Sequence, residues 1–231
     1  LTDALAAIDE TAFSIDTGDL SVPNPDDPLF NSHGEHPYQP DSEDTPYEHH
    51  HVMAEAVGEL LIDKGIITAD ELRGMIELID SKSPAEGTRV IARAWTDPEF
   101  KARVMVNVND AAQELGIDPG TIPIRAVENT DSVHNVIVCT LCSCYPRLLI
   151  GLPPDWYKSR SYRSRVVHEP RTVLKEFGTE ISKETEVCVH DSTADLRYLV
   201  IPKRPDGTEG MSEDELAALV TRDSMIGVTT L

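Results

Sequence analysis

Three cysteines within six residues, in the run Val138-Cys139-Thr140-Leu141-Cys142-Ser143-Cys144, constrain this chain more than any other feature. The run follows a β-prone stretch, Asn135–Val138, and precedes Tyr145-Pro146, whose proline disfavours helical backbone at the residue before it. A tight loop at the end of a strand is the expected result. Sulfurs so closely spaced do not suit the geometry of bridged loops, but they can converge on one ion. Soft thiolates suit cobalt, iron or zinc rather than magnesium or calcium. A closed structural zinc site wants four side-chain ligands, often as two separated pairs, whereas Cys188 stands alone 44 residues beyond Cys144. An iron–sulfur cluster meets the same shortage. Reduced cysteines packed in a core are the plain alternative.

At 231 residues, 40% of them hydrophobic, the chain can bury a substantial core. It has no apolar run approaching the roughly 20 residues of a membrane-spanning helix, and no basic region followed by an apolar stretch at its start. The expectation is a soluble, cytoplasmic protein. Its formal charge is −21, and residues 1–50 carry 12 Asp and Glu with no Lys or Arg. Such a surface repels nucleic acid and anionic membranes, so neither is expected as a partner.

The charge asymmetry marks a first division, residues 1–50, where Pro23, Pro25, Pro28, Pro37, Pro40 and Pro46 prevent long helices and central strands. An extended arm is expected there, needing a partner surface to order it. Residues 51–116 read as helical. Val57, Leu60 and Leu61 share a face before Gly65, and Thr68 with Glu71 forms a capping box that starts a second helix. Ser83, Pro84 and Glu86 signal a third, and a fourth is expected from Pro98 to Leu115, ending at Gly116. Residues 117–231 read as a mixed α/β domain, with strands at Ile122–Val127, Asn135–Cys139, Glu186–Val189 and Arg197–Ile201. Helices are expected at Pro170–Phe177 and Ser212–Val220.

The cysteine run, with Gly151-Leu152-Pro153-Pro154-Asp155-Trp156-Tyr157-Lys158-Ser159, Tyr162–Val167, Glu169-Pro170-Arg171, Arg204–Gly210 and Thr221–Val228, resembles the metal-bearing α subunit of nitrile hydratases. The likeness covers roughly residues 52–228. The fold class that follows is α+β: an extended N-terminal arm and helices, then a layered α-β-β-α domain carrying the metal loop. By resemblance, the metal is one cobalt(III) per chain, held by Cys139, Cys142 and Cys144 and by the backbone amides of Ser143 and Cys144. Thr140 resembles the cobalt form, where the iron form usually has serine. The same likeness implies that Cys142 becomes a sulfinic acid and Cys144 a sulfenic acid, with the Cys144 oxygen as nucleophile or base. Ser143 would orient the loop. It also implies a hetero-oligomer with β-type subunits and a small nitrile as substrate.

Two departures bear on that substrate. Arg147 stands where many nitrile hydratases carry tryptophan, and a guanidinium beside a neutral nitrile incurs a desolvation cost that an anion would offset. Thiocyanate hydrolase, whose γ subunit is homologous, typically has this Tyr-Pro-Arg continuation, so thiocyanate is the alternative substrate. Ile117-Asp118-Pro119-Gly120-Thr121 also lacks the glutamine that nitrile hydratases often carry there. Trp156, with Tyr157 beside it, is a second candidate for the substrate pocket, against packing in the core or an interface. Arg163, Arg165 and Arg171 are expected to tie the loop or an interface, and His49, His50 and His51 to be a surface cluster. Cys188 is expected in the core. A non-catalytic metal-binding module is the reading from a different functional class.

Overall fold

A computed structural model describes residues 49–231, so residues 1–48 of the expected arm lie outside the described residues. The first two helices are α1 (His49–Asp63) and α2 (Ala69–Asp80). Gly65 turns the chain between them at φ +64°, a backbone region costly for other residues. Thr68 and Glu71 form the expected capping box, with the Glu71 amide donating to Thr68 Oγ1 at 3.1 Å. Neither helix contains a buried residue.

Burial begins at α3 (Ala85–Thr96), where Val90 and Ile91 are wholly enclosed. The single helix expected over Pro98–Leu115 is two: α4 (Pro98–Val106) and α5 (Val108–Glu114). Asn107 divides them. Its backbone is extended, φ −155° and ψ 109°, and its side chain accepts from the amide of Asn109 at 2.9 Å, capping α5. Asparagine's short amide competes with the helical ladder, and here that local bond wins.

Among the described residues, four strands form two parallel pairs. β1 (Ile124–Glu128) lies beside β4 (Arg197–Ile201), and β2 (Val133–Val138) beside β3 (Glu186–Asp191), with Val138 opposite Asp191. Parallel pairing requires a crossover, and the β2-to-β3 connection carries α6 (Arg147–Ile150), α7 (Asp155–Lys158), α8 (Arg160–His168) and α9 (Pro170–Glu176). After β4 come α10 (Glu213–Leu219) and α11 (Arg222–Ile226). Helices α4 and α5 pack on β1, the two sheets meet through β2 against β1 and β4, and α9 covers β3. This is the expected α-β-β-α layering. It explains why Val136-Ile137-Val138 is continuously apolar and fully buried, as strands covered on both faces are.

The chain end is stitched to β2 at Gly227, whose φ is +91° and where a Cβ would stand 2.0 Å from the Asn135 carbonyl oxygen. The buried His134 ring lies 2.7 Å from the Gly227 carbonyl through Nε2, which therefore donates. Among the described residues, no helix is long and apolar enough to cross a membrane.

Candidate metal centre

Strand β2 ends at Val138, one residue before the end expected for it, and the loop begins with Cys139, 1% exposed. Cys142 Sγ stands 3.5 Å from Cys139 Sγ and 3.3 Å from Cys144 Sγ, and all three sulfurs lie within 4.8 Å of one another. All three cysteines are free thiols. The Cys142 amide donates to Cys139 Sγ at 3.2 Å, folding the loop back on its first sulfur. Leu141, between the first two cysteines, is 87% exposed and faces away from the core.

The electrostatics follow from crowding. Burial and hydrogen bonds with Cys142 and Cys139 push the Cys144 thiol up to about 12. At Cys142 burial raises the pKa, but hydrogen bonds from Cys144, Cys139 and the backbone amides of Ser143 and Cys144 outweigh it and hold the thiol below its ordinary value. Three thiolates at this spacing repel one another unless a cation lies among them. The donor set, three soft sulfurs within 4.8 Å of one another, fits a thiophilic transition metal.

The loop is fastened by residues distant in sequence. Asp191, at the end of β3, accepts from the Thr140 amide at 2.9 Å and from its hydroxyl at 2.6 Å. Tyr157 donates to the Cys144 carbonyl at 2.9 Å, and Tyr162 to the Ile137 carbonyl at 2.7 Å. Arg163 donates to the Thr140 carbonyl at 3.3 Å. Of the three arginines expected to tie the loop or an interface, only Arg163 bonds to the loop. Arg165 pairs with Glu169 and Glu176, and Arg171 holds the carbonyls of Ile181, Ser182 and Thr185.

Arg147 opens α6 with its side chain exposed on a cleft of about 440 Å³, shared with Asp118, Gly120, Tyr145, Leu148 and Arg197. Arg197, which sequence reasoning passed over, has a buried Nη1 with no hydrogen-bond partner among the described residues. Trp156 is half-buried, and its ring meets Tyr162 and Phe177 edge-on at 4.9 and 4.7 Å. Cys188 is half-buried, opposite Asn135. His49 and His50 are exposed at the start of α1, with His51 half-buried. Asp191 and Tyr162 were not singled out for the site in the sequence, whereas Tyr157, expected only as a pocket-lining candidate, braces the loop through the Cys144 carbonyl. Only the strand pairing could have revealed Asp191.

The architecture and the sulfur cluster define a metal-binding α+β subunit. Residues 48–229 match the family model described as "Nitrile hydratase, alpha chain", and the chain belongs to that family. It is 51% identical over 178 residues to the cobalt-containing nitrile hydratase subunit alpha of Pseudonocardia thermophila, covering 75% of this chain and 86% of that one. It is 39% identical over 189 residues to the thiocyanate hydrolase subunit gamma of Thiobacillus thioparus, covering 77% and 78% respectively. Among solved structures, a recombinant thiocyanate hydrolase with partially modified cobalt centres superposes with a TM-score of 0.74 at 38% identity. That match covers 80% of this chain and 90% of the other.

Proposed function

We propose that this chain is the metal-bearing subunit of a cobalt nitrile hydratase, adding water across a carbon–nitrogen triple bond to form an amide. The observation that carries the reading is the convergence of Cys139, Cys142 and Cys144 within 4.8 Å. These sulfurs, with the backbone nitrogens of Ser143 and Cys144, would hold the metal. Cobalt supplies Lewis acidity toward a nitrile or water. The chain's own part is to present a nucleophile and hold it still. Cys144, as a sulfenate, offers its oxygen as nucleophile or base, Cys142 stands as a sulfinate, and Cys139 remains a thiolate. The Tyr157 hydroxyl fixes the Cys144 carbonyl, and the Ser143 side chain orients the loop. Trp156 backs this region from its aromatic cluster and is the second residue proposed to shape the substrate pocket.

Arg147 favours a second reading, hydrolysis of thiocyanate, because a cleft lined by Arg147 and Arg197 suits an anion. A β-type partner subunit belongs to either reading. It is supported by the exposed apolar residues Val57 and Leu60 of α1 and Met75 and Ile76 of α2, which nothing among the described residues covers. The purified complex, loaded with cobalt, should convert acrylonitrile to its amide. Turnover of thiocyanate alone would replace the leading substrate by the second. Intact mass should show one added oxygen at Cys144 and two at Cys142, and Cys144→Ser should abolish turnover. Bound cobalt with no added oxygen and no turnover of either substrate would point to a non-catalytic metal-binding module. We assign the protein to the cytoplasm, a reading that its unbridged cysteines suit.

A further inference from the structure

We propose that Asp191 is a positioning residue that sets the metal loop into its sulfur-converging shape, an inference that rests on the metal-site reading above. Thr140 lies between the first two sulfurs and is held through every polar group it has. Its amide and hydroxyl donate to the two oxygens of Asp191, at 2.9 and 2.6 Å, and its carbonyl accepts from Arg163 at 3.3 Å. Asp191 is itself fixed, because it stands opposite Val138 in the β2–β3 ladder and the next amide, Ser192, donates to the Val138 carbonyl at 2.6 Å. The residues on both sides of Cys139 are therefore held by one strand end: Val138 by the backbone of β3, Thr140 by its last carboxylate. With Thr140 fixed, the chain must turn outward at Leu141 and return at Cys142, whose amide reaches Cys139 Sγ.

A carboxylate suits this place chemically. Its two oxygens accept from two donors at once and offer no hydrogen in return, whereas an asparagine would present a donor to one of them. The Asp191 carboxylate bonds to Thr140 and, among the described residues, to none of the three sulfurs, so its effect runs through Thr140. The loop is then shaped before metal enters, and the sulfurs need less rearrangement to close on it.

The test uses the cobalt-loaded complex with Asp191→Ala, Asp191→Asn, Thr140→Val and the Asp191→Ala/Thr140→Val double variant. Asp191→Ala should release cobalt to a chelator about tenfold faster than the parent. It should shift the sulfur-to-cobalt absorption band and speed hydrogen exchange at the Cys142 amide. KM and the melting temperature should stay at parental values. Thr140→Val, which keeps the amide bond, should move the same readouts less, and the double variant should be no worse than Asp191→Ala alone. Asp191→Asn should fall between, and it carries the test if the alanine variant does not fold. Parental cobalt release and Cys142 exchange in the Asp191 variants would overturn the proposal, as would additive losses in the double variant. A parent complex that binds no cobalt would instead defeat the metal-site reading, while exchange at Cys142 would still report whether Asp191 holds the loop.

Discussion

The helical pair α1–α2 and the layered part from α3 onward obey opposite rules. Both carry apolar residues at regular spacing, yet α1 and α2 contain no fully buried residue, while β2 and β4 are lined by residues with no exposure at all, Ile137 and Leu199 among them. A helix held by local signals alone is marginal, since most helical stability in proteins comes from packing. The layered part closes its own core and can support a rigid loop at the end of β2. The helical pair presents its apolar face outward, as a segment built to be covered by another chain does. Each region is therefore stable for a different reason, and the difference can be broken experimentally.

The largest effect is expected from Gly227→Ala, which puts a methyl group against the Asn135 carbonyl at a φ of +91°. Strain and displacement together should cost more than about 3 kcal/mol, read as a lower urea midpoint, and leave little folded protein. A near-parental midpoint would mean that the chain end is not stitched to β2 as described. Leu60→Asp with Met75→Asp should behave differently. Both sites are about half exposed, at 51% and 56%, so the chain's own midpoint should move by no more than about 0.5 kcal/mol each. Association with a β-type subunit, followed by size-exclusion chromatography, should nevertheless be lost. If the chain unfolded instead, the helical pair would be part of the core after all.

A smaller effect is expected from pH. Burial holds the pKa of His134 below its ordinary 6.5, and burial followed by the Arg125 charge does the same for His190. The unfolded chain therefore takes up these protons first as pH falls. Stability is fully present above the ordinary value and is lost as pH drops through the lower folded values. Urea midpoints at about pH 7.5 and about pH 5.5 should differ in that direction, with a smaller drop in His134→Gln. An equal drop in that variant would remove His134 from the account.

Local chemistry explains which parts of the fold could be read in advance. The capping boxes Thr68–Glu71 and Ser212–Glu215 announce α2 and α10 because hydroxyl and carboxylate satisfy orphan helix amides within four residues. The four strands declare themselves through short β-branched runs, each found within two residues of its expected bounds. The short helices α6, α7 and α11 carry too few residues for a periodic signal. The break at Asn107 depends on a side-chain bond competing with a helical one, and residue type alone does not decide that contest.

The sequence by itself determined the cysteine spacing, the soft donor set and the alternation of apolar runs that builds a layered core. These properties lie within a few residues of one another and need no partner to be expressed. Only the tertiary structure decided that Asp191, 51 residues beyond Thr140, closes on the metal loop, that Tyr157 and Arg163 brace it, and that Arg197 faces the cleft beside Arg147. Those contacts depend on the parallel register of β2 with β3 and of β1 with β4. That register is set by how the whole core packs rather than by the residues that meet.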